Sequence, residues 1–304
     1  MFRIRFFPDG RTIGSEGGET ISQVALRGSI AIPHACGKTG RCSTCRVKVL
    51  KGLEHCSPRS SAEEAVARKM AFEPDIRLAC QTKVNGDVAV QPLVHENKNV
   101  DVSSLYVKNN PADVFGIEKH MFILFADIRG FTEFSESFMP YDVVYVLNYY
   151  FYEMGQVIKK NGGIIDNYMG DAFLALFEAE DPVEGAYRAI RAGLEMLYSV
   201  HHVIQPNLKS FLRSDFRIGI GLHYGLVVAG TIGDYKSKRF TVIGDAVNFA
   251  SRIESANKQT GTEFLVSEDA FSLIANKANV GRVFEIPVKG KSGKHKLYEI
   301  TNVS

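Results

Sequence analysis

Apolar and polar positions alternate with a period of two from the first residues, where Phe2, Ile4 and Phe6 interleave with Arg3 and Arg5, so the chain opens as a strand. Up to about Gln91 the pattern continues as a second strand, a helix over Thr20–Arg27, a glycine-bearing loop, a strand over Ser43–Leu50, a helix around Ala62–Arg68 and closing strands. Polar stretches at 95–99 and 109–113 then interrupt the periodicity, which predicts a module over 1–95, a linker over 96–116 and a second module over 117–304. That module starts with a strand over Met121–Ala126. A helix follows that Pro140 begins and Gly162-Gly163 ends, with Val143, Val144, Leu147, Phe151, Met154 and Ile158 at helical spacing. Next come a hairpin over Gly163–Phe177, a helix from Asp181-Pro182 to about His201, strands over Phe216–Tyr224 and Thr241–Ile243, a helix over Ala246–Lys258, and a terminal strand pair near Val288 and Leu297–Ile300. The order suits helices on one face of a mainly antiparallel sheet, an α+β protein.

Composition narrows the ligand class. Lys and Arg number 36 against 34 Asp and Glu, and no basic stripe is interleaved with aromatics, so the expected ligand is a nucleotide and not a nucleic acid. No apolar run reaches the length of a membrane span, and the opening strand is no signal-peptide core, so a cytoplasmic location is expected. Gly219-Ile220-Gly221 lies inside a strand-like run and opens no helix, which excludes a dinucleotide loop, and no Walker A motif is present.

Two aspartates stand at the edges of apolar runs, Asp127 in Phe125-Ala126-Asp127-Ile128-Arg129-Gly130-Phe131-Thr132 and Asp171 in Asn167-Tyr168-Met169-Gly170-Asp171. Carboxylates at neighbouring strand ends can share a pair of hard cations, as two-metal phosphoryl transfer requires. A third segment, Thr241-Val242-Ile243-Gly244-Asp245-Ala246-Val247-Asn248-Phe249-Ala250-Ser251-Arg252, puts an amide and a guanidinium one helical turn apart. From about Phe115 to Ser304 these segments resemble the catalytic domain of class III nucleotidyl cyclases, which implies a ferredoxin-like α/β sandwich. The resemblance further implies that Asp127, Asp171 and the Ile128 carbonyl hold two Mg²⁺ or Mn²⁺ ions. It makes Asn248 the residue that orients the ribose and Arg252 the one that meets charge on the α-phosphate, and it sets the turn at Phe131 and Thr132, with Lys289, at the triphosphate. In that family the two halves of each site come from opposite subunits, so a homodimer is implied. At the positions that read the base, adenylyl cyclases usually carry Lys with Asp or Thr, and guanylyl cyclases Glu with Cys. Here Asn167 and Thr241 stand there. Thr241 fits the adenylyl type and Asn167 neither, so ATP is expected as the substrate, with weaker discrimination against GTP than a Lys would give.

The cysteines of the first module are spaced Cys36, Cys42, Cys45 and, after a long gap, Cys80, with Cys56 outside the pattern. Uneven spacing in a chain without a secretory pattern favours metal binding over disulfides. The loop from Cys36 to Cys45 resembles that of the β-grasp [2Fe–2S] ferredoxins, with the five-residue first gap of the adrenodoxin-like type, against zinc or free thiols as the other readings. An electron donor to the cluster would then be a further partner. Three readings follow: a cyclase, adenylyl or else guanylyl or mixed in specificity, regulated by the redox state of the cluster; an electron-transfer protein whose cyclase-like domain serves for dimerisation or nucleotide sensing; or a cyclase controlled elsewhere, its cluster only stapling a small domain.

Overall fold

The computed structural model describes residues 2–94, 116–209, 215–232, 239–288 and 292–303. The linker expected at 96–116, apart from Gly116, and Lys289 lie outside the described residues. Two compact units result, one on a five-stranded sheet and one on an eight-stranded sheet. Among the described residues no helix is long and apolar enough to cross a membrane.

The smaller sheet runs in the order β2 (Arg11–Ser15), β1 (Phe2–Phe6), β5 (Val88–Pro92), β3 (Arg46–Lys51), β4 (Ile76–Leu78). The opening alternation has its cause here, since Ile4 and Phe6 are buried beside Val88 and Val90 of the parallel β5 while the arginines face out. Helix α1 (Ile21–Arg27) adds Ile21, Val24 and Ala25 to the same core. Its start is fixed by a capping box, in which the Thr20 hydroxyl accepts from the Gln23 N–H at 3.3 Å and the Gln23 side chain accepts from the Thr20 N–H at 2.8 Å. Helix α2 (Ser61–Lys69) carries Glu63, which is fully buried and binds the Arg77 guanidinium through two contacts of 2.9 and 3.0 Å. The same carboxylate accepts from the Leu78 N–H at 2.7 Å and the Thr82 hydroxyl at 3.3 Å, so it closes on both sides of Cys80.

In the larger sheet the order is β12 (Ala278–Pro287), β13 (Lys294–Val303), β11 (Phe264–Ser267), β9 (Ile218–Ile232), β6 (Ile117–Ile128), β8 (Ala172–Phe177), β7 (Gly163–Met169), with β10 (Arg239–Ile243) paired to β9. β6 is buried on both faces, which explains why its sequence is apolar without interruption from Met121 to Ala126. Phe122, Leu124, Ala126 and Ile128 pack with α4 (Pro140–Lys160) and α5 (Pro182–Ser199), after the short α3 (Phe131–Ser137). Met121, Ile123 and Phe125 pack on the opposite face with Ala246 and Ala250 of α6 (Asp245–Thr260). The helices therefore cover two faces and not one, because α6 follows β10 across the far side of β9. In α4 the fully buried face is Val146, Tyr150, Met154 and Ile158, while Val144 is exposed and Leu147 and Phe151 only flank the core. Apolar residues all round this helix hid which stripe turns inward.

Gly219 and Gly221 answer to packing. A Cβ on Gly221 would stand 2.1 Å from the Glu254 nitrogen and 2.7 Å from the Ala250 carbonyl, so α6 rests directly on the β9 backbone. A Cβ on Gly219 would strike the Arg129 guanidinium. Asn257 locks the contact by donating from Nδ2 to the Ile220 carbonyl at 2.9 Å.

Replacing Glu63 by Ala leaves Arg77 buried without its partner, so Glu63→Ala is expected to destabilise the smaller unit by about 3–5 kcal/mol. Urea unfolding followed by a probe in that unit checks the value; a loss under about 1 kcal/mol would mean that Arg77 finds water instead.

Candidate active site and cluster loop

Asp127 is the penultimate residue of β6, opposite Gly219 of β9, and Asp171 sits in the β7–β8 turn beside Gly170, whose φ of 68° lets the hairpin reverse in one step. The hairpin folds Asp171 back onto the β6 end, where its carboxyl meets that of Asp127 through a hydrogen bond and accepts from the Ile128 N–H. Partial burial, then the neighbouring Asp127 carboxyl, push the Asp171 carboxyl up to about 6. A carboxyl raised in this way holds its proton more tightly than usual, and a cation can take that proton's place. Lys258 Nζ, on the last turn of α6, stands 3.8 Å from Asp127.

Beneath the pair lie groups that periodicity did not single out. Tyr150 is fully buried on α4, its hydroxyl has no hydrogen-bond partner among the described residues, and burial, then the nearby Asp127, Asp171 and Glu254 carboxyls, push its pKa well above the ordinary value. Arg129 crosses Gly219 to form an ion pair with Glu254 at 2.8 Å, with little solvent on either side chain. Burial raises the Glu254 carboxyl, and the guanidinium opposes that shift. The clasp joins the β6 end to α6. A tyrosine within an apolar helix stripe and a Glu–Arg pair 125 residues apart carry no local pattern, so only the fold reveals them.

Asn248 and Arg252 lie one turn apart on α6, away from the buried face of Ala246, Ala250 and Ile253. Asn248 is exposed; Arg252 Nη1 is buried without a hydrogen-bond partner. Among the described residues no hydrogen bond or ion pair links either to Asp127 or Asp171, so the structure brings together the two aspartates but not the aspartates with the Asn–Arg pair. Phe131 and Thr132 open α3 behind Gly130 (φ 70°), where no side chain caps the first turn. Thr241 on β10 reaches β7, its hydroxyl donating to Asp166 Oδ2 at 2.7 Å, one residue before Asn167.

In the smaller unit the cysteine loop uses left-handed backbone at Gly37, Lys38 and Gly40. A Cβ on Gly40 would press on Ala62 and Gln81 at 3.0 Å, so this glycine is needed for fit as well as for φ. The thiols fall into two pairs: Cys36 with Cys42, which are hydrogen-bonded, and Cys45 with Cys80, whose sulfurs stand 3.4 Å apart. The Cys45 thiol donates to Cys80, which pulls Cys80 down to about 6 and raises Cys45. Gln81 Nε2 donates to the Cys80 sulfur at 3.5 Å and to the Lys38 carbonyl at 3.2 Å. His34 directs Nδ1 to the Ile32 carbonyl at 3.2 Å. Cys56 lies apart, bridged in register to Val84, and burial raises its thiol.

Residues 117–302, more than half of the chain, match the family described as the adenylate and guanylate cyclase catalytic domain. The chain belongs to that family. Residues 6–85 match the 2Fe-2S iron-sulfur cluster binding domain. Among relatives, an adenylate cyclase of Anabaena cylindrica is 37% identical over 187 residues, covering 60% of this chain and 37% of that protein. The terminal-differentiation specific adenylate cyclase of Dictyostelium discoideum is 31% identical over 185 residues, covering 60% of this chain and 9% of its own. The chain thus spans well under half the length of these curated relatives. Among solved structures, the guanylyl cyclase Cya2 superposes with a TM-score of 0.58 at 32% identity, covering 62% of this chain and 95% of that one. The adenylyl cyclase CyaB from P. aeruginosa gives 0.57 at 30%, covering 62% and 96%.

The cyclase domain uses two divalent ions and the ferredoxin domain a [2Fe–2S] cluster, and the residues present fit both. Among the described residues no three His, Cys, Asp or Glu side chains converge on one ion position. Four thiols in two pairs match two irons with two thiolates each, and a pair of carboxyls in contact is a place for cations. The cluster contributes one-electron chemistry when bound.

Two outcomes follow. Iron and acid-labile sulfide are expected in the anaerobically purified protein. They should be lost on Cys36→Ser, Cys42→Ser, Cys45→Ser or Cys80→Ser and kept on Cys56→Ser; stoichiometric zinc without sulfide would refute the assignment. Separately, the folded Asp171 keeps its proton from the ordinary 3.8 up to about 6, so metal-free stability falls as pH rises through that window. Mn²⁺ should therefore raise the melting temperature more above this window than below it, and Asp171→Asn should cancel the difference; a pH-independent shift in thermal melts would contradict the raised carboxyl.

Proposed function

We propose that this protein is an adenylyl cyclase that converts ATP to 3′,5′-cyclic AMP and pyrophosphate at the interface of a homodimer, with the redox state of its [2Fe–2S] cluster setting the rate. The observation that carries the reading is the division of the site. Asp127 and Asp171 meet at one sheet end, while Asn248 and Arg252 stand apart from them on α6, Asn248 exposed and Arg252 Nη1 buried with no hydrogen-bond partner among the described residues. A second copy related by a twofold axis would bring the two halves together twice. The outward face of α4 supports the same assembly, because Tyr141, Val144, Tyr145 and Tyr152 form an exposed stripe at helical spacing, a surface that seeks cover.

In the reaction the ribose 3′-oxygen attacks the α-phosphorus in line, the bond to the β-phosphate oxygen breaks, and pyrophosphate leaves. Asp127, Asp171 and the Ile128 carbonyl would hold the divalent ions, which acidify the 3′-hydroxyl and neutralise the phosphates. Asn248 of the opposite subunit positions the ribose and Arg252 meets the charge that builds on the α-phosphate, so each acts on the transition state. Backbone N–H groups of Phe131 and Thr132, with Lys289, receive the triphosphate, and Asn167 with Thr241 read the base. Tyr150 and the Arg129–Glu254 clasp hold the floor and α6 in place.

Regulation follows from one chain carrying both modules. One electron alters the cluster by a full charge, and a site split between subunits is sensitive to small changes in alignment. Four thiols committed to iron suit the reducing cytoplasm.

Asp127→Ala and Arg252→Ala are each expected to lower kcat by at least about 10² while leaving fold and cluster spectrum intact. Mixed in equal amounts, the two variants should recover about a quarter of wild-type activity, since half the dimers are mixed and each has one whole site. No recovery with mixed dimers shown to form would overturn the shared site. Cyclic nucleotide formation from ATP and GTP, assayed with the cluster oxidised and then reduced, tests substrate and regulation together; equal rates in both states would end the redox reading.

A further inference from the structure

We infer that Asp166, through the proton of Thr241, is the positioning residue that biases the base pocket toward adenine. The inference deepens the proposed function and rests on its placement of Asn167 and Thr241 at the purine. β7 pairs with β8 through Ile165↔Ala175 and then Asn167↔Leu174, so Asp166 is the extra residue of a bulge. Bulges re-aim a side chain that strand alternation would otherwise send to a fixed face. Here the re-aimed carboxylate meets β10, where the Thr241 hydroxyl donates to Oδ2 at 2.7 Å.

The direction of that hydrogen bond has chemical content. A threonine hydroxyl owns one proton and two lone pairs, and an ionised carboxylate only accepts. With its proton committed to Asp166, Thr241 offers a ligand lone pairs alone. Adenine presents an amino group at C6, a donor, and guanine a carbonyl oxygen, an acceptor. An acceptor-only hydroxyl therefore pairs with adenine and leaves guanine with two acceptors face to face, a buried mismatch of the kind that discriminates between ligands. The hydroxyl of Thr241, ambivalent by itself, is made one-sided by its neighbour. The amide of Asn167 carries both a donor and an acceptor, so the one-sidedness of the pocket comes from Thr241.

The test compares wild type with Asp166→Asn in the full-length dimer, alone and on a Thr241→Val background. One readout is the ratio of kcat/KM for ATP and GTP. The other is the ratio of dissociation constants for 3′-deoxy-ATP and 3′-deoxy-GTP, which cannot cyclise and so report base recognition without turnover. An asparagine amide can donate to Thr241 and free its proton for guanine. Asp166→Asn is therefore expected to lower the ATP:GTP ratio about tenfold in both readouts, mainly by improving GTP. On the Thr241→Val background the same change should do nothing, the mark of an effect carried by one pair. An unchanged ratio in Asp166→Asn, an equal fall for both nucleotides, or an undiminished effect beside Thr241→Val would each overturn the inference. A wild type that prefers GTP, yet shifts further toward GTP in Asp166→Asn, would support the role of Asp166 and bring down the adenylyl reading. A wild type that prefers ATP and does not shift would do the reverse.

Discussion

Helix α6 lies on the backbone of β9 with nothing larger than hydrogen between them at Gly221, and the geometry of the larger unit depends on that approach. Because the helix is this close, Arg129 can reach over Gly219 to Glu254, Asn257 can bind the Ile220 carbonyl, and the Lys258 ammonium can stand near Asp127. Lifting the helix by the width of one methyl group would separate all three. The same seating fixes how α6 is turned, so the placing of Asn248 and Arg252 depends on a glycine of β9, the strand beside the one that carries Asp127.

The carboxylate pair obeys a related rule. Neither Asp127 nor Asp171 is unusual alone, and what makes them chemically active is that a one-step reversal at Gly170 brings the hairpin back onto the end of the central strand. Burial and the neighbouring Asp127 carboxyl are the cost of this arrangement, visible as the raised Asp171 carboxyl, and a bound cation would offset it. The cysteine loop uses the opposite logic. There the Glu63 network holds the Cys80 turn through hydrogen bonds to Arg77, Leu78 and Thr82 beside the Cys45–Cys80 sulfur pair.

Much of the fold was readable because its core strands and helices are strongly periodic. Pro140 and Asp181 mark the helix starts, and the apolar run from Met121 to Ala126 marks a core strand. The four cysteines and two aspartates stood out by spacing and by position after apolar runs. Three things did not show. The inward stripe of α4 was ambiguous because its other faces are apolar too, and the place of α6 on the far face of the sheet has no local signal in the sequence. The Asp166–Thr241 bond arises from a bulge between Ile165 and Asn167, and in a short strand one skipped residue is too small a change of phase to be read from the sequence.

The outward stripe of α4, from Tyr141 to Tyr152, has a consequence for how the protein behaves in a cell. A surface that must be covered by another copy couples function to abundance, because pairing is second order in the chain. At dilutions below the pairing constant, halving the number of molecules removes about three-quarters of the pairs. Synthesis and degradation of the chain then set the fraction that is paired, a quantity that no single molecule senses.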